Sequence, residues 1–329
     1  MSKSVLFKKT GAPDVMEIVD EKIPEPKQNE VRIQVKALGL NRAESMWRSG
    51  DYIEEPNLPA RNGYEASGLI EAVGPGISEF KVGDVVSVIP SFSLNQYGMY
   101  GELVLAPDWA VVKHPTNLTF EEAASIWMMF VTVYDGLILT AKVTKDDTVL
   151  IPAASSSVGL AAIQVTNAIG AKSVALTRTS EKREELLKAG AAYVIATEEQ
   201  DLVAEVMKIT DGKGATVSFD PVGGPTFPKL IAASARFARI VVYGALSSAV
   251  TPLPMLPMLN KLPLIMASVT ASTSTDPIKR KAAIEYITSG LKSGVLKPVI
   301  AKTFTFDQII EAHKYLESNQ QIGKIVVTV

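Results

Sequence analysis

Residues 148–170 constrain the fold more than any other part of the chain. They begin with Thr148–Ile151, a β-branched and aliphatic run that has the length of a buried parallel strand. A turn of small residues follows, and residues 160–170 then show helical spacing and end in glycine. This layout can place free backbone N–H groups and the positive end of a helix dipole around a phosphate. The order of elements therefore predicts a parallel α/β unit with a candidate anion site.

The turn in this stretch is poorer in glycine than the usual phosphate-binding fingerprint. In the register of G-x-G-x-x-G it has Ala154, Ser156 and Gly159, so only the last glycine is present. Serine hydroxyls can cap a helix or donate to a phosphate, and the candidate binding residues of the turn are therefore Ala154, Ser155, Ser156, Ser157 and Val158. By itself, the motif fits a nucleotide site and an ordinary strand-to-helix turn equally well.

Composition excludes several classes of protein. A length of 329 residues favours two domains, and 47% hydrophobic with 21% charged residues is typical of a soluble globular protein. A formal net charge of -2 gives no reason to expect nucleic acid or a membrane surface as a partner. The longest apolar stretches, around residues 123–139 and 252–269, are interrupted by Pro, Lys or Asp. The N-terminus lacks the apolar core of a signal peptide, so we expect a cytoplasmic protein.

Metal and thiol chemistry are not expected. The chain has no cysteine, which excludes disulfides, thiol nucleophiles and cysteine-ligated metals. Its two histidines, His114 and His313, are far apart in sequence, and neither has a partner one helical turn away. Each is interpreted as a surface or helix histidine rather than as a ligand. We therefore predict no metal site.

Two rhythms of secondary structure divide the chain. Residues 1–122 contain many short strands separated by Gly and Pro turns, which predicts a barrel-like β-rich domain. A capping box at residues 119–122 is predicted to open a helix that runs towards residue 139. The strands predicted in this domain cover residues 31–37, 67–73, 82–88, 101–105 and 109–113.

From residue 123 onwards, strands and helices alternate. Six strands are predicted, at residues 148–151, 173–177, 193–196, 215–220, 239–243 and 264–269. This alternation is typical of a doubly wound parallel sheet, and we assign it to residues 123–271. Residues 272–329 end in a strand at 324–329 that needs an edge to pair with, so we expect them to return to the first domain.

The residues after the second strand of this unit indicate which dinucleotide would bind. An NAD site has an acidic residue there, about 20 residues after the turn, for the ribose 2′-hydroxyl. Here Thr177 ends the strand, Arg178 and Ser180 follow, and Lys182 comes close behind. A cation and hydroxyls suit a 2′-phosphate, which predicts NADPH (or NADP+) as the cofactor. The alternative is a solvated helix start with scattered cations.

Two further strand ends carry candidate cofactor-binding residues. Asp220 follows an apolar strand and precedes a Pro-Val-Gly-Gly turn, where it either faces a cofactor or caps the next helix. Tyr243 and Gly244 end another strand, at the carboxyl edge where open parallel sheets bind ligands.

Short motifs are spread along nearly the whole chain. They are GLNRAE (39–44), GDY (50–52), GYEASG (63–68), VG (73–74), VGDVV (82–86), AASSSVG (153–159), DPVGG (220–224) and IGKIV (322–326). In this order they resemble the medium-chain dehydrogenase/reductase superfamily, above all its zinc-free quinone oxidoreductase and enoyl reductase branch. The resemblance implies an α/β fold with a Rossmann-like NADP-binding domain and a GroES-like β-rich catalytic domain.

The resemblance also implies roles for individual residues. Zinc-dependent relatives have a cysteine and a histidine ligand where this chain has Asn41 and Tyr64, so a metal-free hydride transfer is implied. Asn41 would bind near the nicotinamide ribose, and Tyr52 would orient the acceptor carbonyl or pass a proton. The cofactor-binding residues would further include Thr132 beside the nicotinamide, Lys182 on a phosphate, and Lys324.

These observations predict a metal-free, NADPH-dependent reductase. It would transfer hydride to a small apolar electrophile: a quinone, or the activated C=C bond of an enone, enal or enoyl thioester. The alternative is a non-catalytic NADPH-binding or structural protein, because a fold does not fix a function. Residues 252–264, rich in Met and Pro, are interpreted mainly as core, or else as the lining of an apolar pocket or dimer edge. The resemblance implies a homodimer formed near residues 267–270.

Overall fold

The computed structural model describes residues 1–329, which form two compact units. The first unit contains residues 1–128, 274–292 and 298–329, and the second contains residues 129–273 and 293–297. The chain passes between units after residues 128 and 273, where the sequence analysis placed the domain boundaries after 122 and 271.

Sixteen strands and eleven α-helices make up these units. The strands are β1 (Ser2–Phe7), β2 (Met16–Glu21), β3 (Glu30–Leu40), β4 (Ala60–Arg61), β5 (Glu65–Val73), β6 (Val85–Val88), β7 (Leu103–Pro107), β8 (Val111–Val112), β9 (Thr148–Ile151), β10 (Lys172–Thr177), β11 (Tyr193–Ala196), β12 (Ala215–Asp220), β13 (Ser234–Val242), β14 (Leu264–Ala267), β15 (Ile300–Thr305) and β16 (Lys324–Thr328). The α-helices are α1 (Arg42–Ser49), α2 (Phe120–Ala123), α3 (Trp127–Val133), α4 (Ser157–Ile169), α5 (Arg183–Lys188), α6 (Leu202–Ile209), α7 (Phe227–Ala233), α8 (Met255–Lys261), α9 (Thr270–Ser274), α10 (Pro277–Ser293) and α11 (Ile309–Glu317). A π-helix covers Tyr134–Thr140.

The first unit is built around the long strand β3. A seven-stranded sheet has the order β15-β16-β3-β5-β6-β8, with β7 also paired to β3, and a three-stranded sheet has the order β2-β1-β4. The alternating pattern buries Val31, Ile33 and Val35 on one face of β3. The closing strand β16 pairs antiparallel with β3 in a register that sets Ile325 opposite Leu40. This pairing brings the two chain segments that follow Gly323 and Leu40 side by side.

The second unit is an open, fully parallel sheet. Its strand order is β11-β10-β9-β12-β13-β14, the doubly wound arrangement that the sequence predicts. Val149, Leu150 and Ile151 on β9 are fully buried because helices cover both faces of the central strands. The chain reverses its winding direction between β10 and β12, on either side of β9, and such a switch point opens a crevice at the carboxyl ends of the strands.

The two edges of this parallel sheet differ. At β11, Arg183 Nη1 donates to the Val194 carbonyl at 2.7 Å, and Gln200 Oε1 accepts the Ala196 N–H at 3.0 Å. These side chains occupy backbone groups that would otherwise face outward. At β14, Leu264 and Ile265 are 56% and 40% exposed.

The helix predicted from the capping box is interrupted. The box itself forms, since the Glu122 N–H donates to Thr119 Oγ1 at 3.2 Å and the Thr119 N–H donates to Glu122 Oε2 at 2.9 Å. However, α2 ends at Ala123, and α3 starts at Trp127 before continuing as the π-helix. The helical stretch 120–140 is long and apolar enough to cross a membrane, yet 83% of its most apolar 18-residue stretch is buried inside the protein.

Two other predictions were wrong. Most of residues 109–113 are not a strand, because Asp108–Ala110 form a 3-10 turn and only Val111–Val112 pair. Residues 252–264 are not mainly core, because α8 exposes Met255, Leu256 and Leu259 to 63%, 79% and 66%. In addition, α1 was not predicted at all.

Candidate active site

The turn between β9 and α4 forms the base of the candidate anion site. Ser156 is the N-cap of α4, and its Oγ accepts the Gly159 N–H at 3.0 Å. A Cβ at Gly159 would lie 2.6 Å from the Ala154 Cα, so only glycine lets the turn pack this closely on the helix. Ser155, Ser157 and Val158 are half-buried around the helix start. The predicted turn residues therefore all border the N-terminus of a 13-residue helix.

Cations converge on this turn from the end of β10. Lys182 Nζ donates to Ser155 Oγ at 3.2 Å. Burial lowers the pKa of Lys182, and the positive charge of Arg178 lowers it further. Two neighbouring cations that repel each other form a site that favours an anion. Thr177 is half-buried, and its carbonyl accepts the Thr197 N–H at 2.8 Å.

Ser180, predicted to bind the cofactor, already has a partner. Its N–H donates to Glu199 Oε1 at 2.8 Å, and this hydrogen bond is the main cause of the lowered pKa of Glu199. The third cation of this segment, Arg183, turns away and binds the edge of β11. The contact of Ser180 with a 2′-phosphate thus stays a prediction, and it would compete with Glu199.

The ends of β12 and β13 place an acid and a phenol at the carboxyl edge of the sheet. Asp220 is fully buried and caps its turn, accepting the N–H groups of Val222 at 2.8 Å and Gly223 at 3.0 Å. These hydrogen bonds close the turn but do not cap the next helix, so the helix-capping alternative was wrong, and contact with a cofactor stays a prediction. Burial raises the pKa of Asp220. Tyr243 stacks on Phe219 with ring centroids 3.9 Å apart.

The hydroxyl of Tyr243 is the least satisfied polar group at this edge. It is buried and has no hydrogen-bond partner within the protein. A buried orphan hydroxyl is unusual and calls for a partner outside the chain. Burial first, and the charge of Asp220 second, raise its pKa, so it is a neutral donor. Gly244 follows directly and packs against Pro221, where a Cβ would lie 2.9 Å from the Pro221 carbonyl oxygen.

In the second unit, Thr132 lies on α3 and is 6% exposed. Its hydroxyl oxygen is 2.8 Å from that of Thr270. The structure therefore holds this predicted nicotinamide contact in a defined position, although its role stays a prediction.

Asn41 and Lys324 meet in the first unit, because β3 and β16 pair. Lys324 is 1% exposed, and its Nζ donates to Asn41 Oδ1 at 2.6 Å and to the carboxylate of Glu65. The Asn41 Nδ2 donates to the Gly39 carbonyl at 3.1 Å and to Glu44 and Glu65. Both side chains thus use their hydrogen-bonding groups within the unit, so direct contacts with a cofactor stay predictions.

Glu65 has a second function that the sequence did not reveal. Its Oε2 accepts the N–H groups of Trp127 at 3.1 Å and Met128 at 3.0 Å, the first residues of α3. These N–H groups have no partner within the helix, so the Glu65 carboxylate stabilises the start of α3. The sequence feature that could have pointed to this role of Glu65 is the Tyr64-Glu65 pair within the GYEASG motif.

A second buried chain of polar groups runs from Glu44. The Arg48 guanidinium can only donate, so the His313 Nδ1 that lies 2.9 Å from it accepts. In the neutral ring the proton is then on Nε2, which donates to the Tyr100 hydroxyl at 2.9 Å. Tyr100 in turn donates to Glu44 Oε2 at 2.7 Å. The tautomer of His313 is fixed by its neighbours.

Neither histidine is on the surface, which corrects part of the sequence interpretation. His313 is a fully buried helix residue, and burial first and the Arg48 charge second lower its pKa to about 3. His114 is 8% exposed, and its Nδ1 lies 3.0 Å from Ser87 Oγ. No group of three or more His, Cys, Asp or Glu side chains in residues 1–329 has an arrangement that could hold a metal ion.

Tyr52 lies on a loop of the first unit, half-buried against its core. Burial is the main reason that its pKa is raised, and the hydroxyl of Tyr64 is a hydrogen-bond partner. Tyr64 is 7% exposed, and burial raises its pKa as well. Both phenols therefore stay protonated. The loop is fixed by Glu54, which accepts hydrogen bonds from Ser93 and, at 3.0 Å, from Asn95.

Comparison with known proteins adds independent findings. Two sequence-family models match, Alcohol dehydrogenase GroES-like domain over residues 27–116 and Zinc-binding dehydrogenase over residues 157–287. Quinone oxidoreductase 1 of Escherichia coli is 32% identical over 98% of this chain and 98% of its own.

Solved structures agree with this match. The crystal structure of Escherichia coli quinone oxidoreductase complexed with NADPH is 30% identical, with a TM-score of 0.91 over 99% of this chain and 100% of the other. A structure described as an NAD-dependent alcohol dehydrogenase is also 30% identical, with a TM-score of 0.90 over 99% of both chains.

Proposed function

The chain belongs to the quinone oxidoreductase-like branch of the medium-chain dehydrogenase/reductase superfamily and is an oxidoreductase, and from this premise we propose that it is a metal-free, NADPH-dependent reductase of small electrophiles. The observation that carries the proposal is the anion site at the start of α4, where the helix N-terminus, Lys182 and Arg178 lie together. The comparisons support NADPH because one similar structure is described as its complex.

The residues at the carboxyl edge of the parallel sheet fit such a cofactor. The pyrophosphate would be bound by the N–H groups and serines at the start of α4, and the 2′-phosphate by Arg178 and Lys182. The orphan hydroxyl of Tyr243 would gain a partner. When bound, NADPH supplies a hydride from its nicotinamide ring. The protein's contribution is to bind, to orient and to exclude water.

The acceptor would be oriented by a neutral phenol. Tyr52 stays protonated because burial raises its pKa, so it can donate a hydrogen bond to a carbonyl oxygen. Such a bond polarises a quinone, an enone, an enal or an enoyl thioester alike. We propose this whole class as substrates, without preference among its members.

We propose that zinc has no part in this chemistry, because of the residues at the two ligand positions. Asn41 stands where zinc-dependent relatives have a cysteine, and Tyr64 where they have a histidine. Neither an amide nor a neutral phenol is a good zinc ligand. In addition, the Lys324 ammonium binds both Asn41 and Glu65, so the carboxylate of Glu65 already has a cation beside it that is not a metal.

We also propose a homodimer formed through β14 and α8. Leu256, Leu259 and Leu264 are 79%, 66% and 56% exposed, and together they form an apolar surface beside an open sheet edge. Light scattering should give the mass of two chains, and Ile265→Arg should lower it to one. The exposed Val82→Arg, far along the chain in the first unit, is the control that should stay dimeric. A monomeric wild type would refute the dimer.

The experiment for the enzymatic function measures oxidation of NADPH, with NADH alongside, against a quinone, a short enone and an enoyl thioester. A chelator is present in a parallel series. We expect turnover that prefers NADPH and is unaffected by chelator. NADPH binding without turnover on any acceptor would favour the non-catalytic alternative, and chelator-sensitive turnover would contradict the metal-free mechanism.

A further inference from the structure

The helix that carries Thr132 changes its winding one residue further on, after Val133. α3 ends at Val133, and the π-helix Tyr134–Thr140 continues it. π-helical turns are rare and often lie at functional sites. One contact that accommodates this turn is at Gly136, where a Cβ would lie 2.3 Å from Cε2 of the Phe219 ring. The same ring stacks on Tyr243 at the carboxyl edge of the sheet.

A second contact is made by Asp135, which is 3% exposed. Its Oδ1 accepts hydrogen bonds from Ser272 Oγ at 2.7 Å and from Thr273 Oγ1 at 2.5 Å, and its Oδ2 accepts one from Ser268 Oγ. Hydrogen bonds from hydroxyls to a carboxylate are short and roughly twice as strong as neutral ones. Three of them, all from residues 268–273, hold this segment against the π-helix.

The segment that Asp135 holds is also the one that contacts Thr132. Thr270 lies within it, and its hydroxyl oxygen is 2.8 Å from Thr132 Oγ1. Thr132 and Asp135 are three positions apart in the sequence of one continuous helical run, so both grip the same short segment. Asp135 thereby fixes the position of Thr270, and Thr270 fixes the hydroxyl of Thr132.

We propose that Asp135 is a positioning residue for hydride transfer, acting through Thr270 on Thr132. This inference rests on the proposed function, in which Thr132 lies beside the nicotinamide. The reaction is sensitive to such positioning, because a displacement of about 1 Å at a reacting group can cost roughly a hundredfold in rate. Nothing in the sequence marks Asp135, since an aspartate within an apolar helix is more often a surface residue.

The test compares Asp135→Asn and Thr270→Val with the wild type. Asparagine keeps the shape but loses one acceptor oxygen, and valine removes only the Thr270 hydroxyl. Thr166→Val is the matched control, because Thr166 is fully buried in the same unit and its hydroxyl has no partner. For each protein we would measure kcat, the NADPH dissociation constant, the melting temperature and the isotope effect with NADPH deuterated at the transferred position.

We expect both test variants to lose about tenfold in kcat with a larger isotope effect, while NADPH affinity changes less than about twofold. When Thr132 is already replaced by Val, neither Asp135→Asn nor Thr270→Val should lower kcat further, because the three substitutions act on the same contact. Lower melting temperatures with a kcat and isotope effect like those of Thr166→Val would make Asp135 merely structural and refute the inference. If Asp135→Asn does not fold, Thr270→Val decides alone. A wild type without turnover refutes the proposed function, whereas an active wild type with unaffected variants refutes only the positioning role.

Discussion

His313 allows a quantitative prediction about the pH dependence of stability. Its pKa is about 3 in the folded protein, against 6.5 for an unperturbed imidazole. Between these values the unfolded chain binds a proton that the folded protein does not, so stability falls as the pH is lowered. The main physical cause is burial, which disfavours the charged ring, and the second is that the added proton would have to be placed on Nδ1, which faces the Arg48 guanidinium.

The magnitude follows from the two pKa values. Within this window the free energy of unfolding falls by up to about 1.4 kcal/mol per pH unit, or about 2 kcal/mol between pH 6.5 and pH 5. The change His313→Gln removes this contribution and keeps an acceptor and a donor for Arg48 and Tyr100. The wild type should therefore lose about 2 kcal/mol more than the variant over this range.

Two measurements check this prediction. Since the chain has only two histidines, imidazole NMR gives two ring signals, and the His313 signal should not titrate above pH 5. Urea unfolding of both proteins at pH 7 and pH 5, at low concentration because the pI is near 5.9, gives the difference in stability. A His313 signal that titrates near pH 6.5, or equal losses of stability in both proteins, would refute the fixed-tautomer arrangement.

Three further predictions test other sites. Arg178→Glu should weaken NADPH binding at least about tenfold more than NADH binding, because it would replace the proposed 2′-phosphate contact by repulsion. Equal losses in fluorescence titrations would contradict the 2′-phosphate assignment. Lys324→Met should destabilise the protein by about 3–5 kcal/mol in urea unfolding, because it leaves Glu65 buried without its cation; an unchanged unfolding midpoint would count against that pairing. Gly159→Ala should abolish most NADPH affinity, since its methyl group would meet Ala154 at 2.6 Å, and retained affinity would show that the turn can adjust.

The parallel sheet was the part of the fold that the sequence predicted best. The strands predicted at residues 148–151, 193–196 and 215–220 coincide with β9, β11 and β12. Strands covered on both faces are continuous apolar runs, and turn residues mark their ends. Strand β13 was predicted less well, because it is irregular: Phe237 has a φ of +61° and the register shifts against β12.

The first unit shows why sequence patterns fail in polar interiors. Helix α1 was missed because three of its four buried residues, Glu44, Ser45 and Arg48, are polar or charged, and Trp47 is the only apolar one. Likewise, the contact of Asn41 with Lys324 joins residues 283 positions apart. It arises from the β3–β16 register, which no local pattern encodes.

The residues of the candidate site, like the elements of the fold, were predicted well in some places and poorly in others. The turn residues 154–158 border the helix start as expected, since their role depends on local backbone geometry. Asp220 and Ser180 have partners within the chain, and such partners come from tertiary packing. The orphan hydroxyl of Tyr243 could only be recognised once its surroundings were known.

The unequal edges of the parallel sheet set a limit on how the protein can assemble. Arg183 and Gln200 occupy backbone groups of β11, so a further strand has little to bind at that side. Of the two edges of this sheet, the β14 edge is therefore the one at which a neighbouring strand could pair. Two copies that meet through the same edge close on a two-fold axis and leave no free edge for a third. A protein with one blocked edge can thus expose apolar residues at the other without forming fibres.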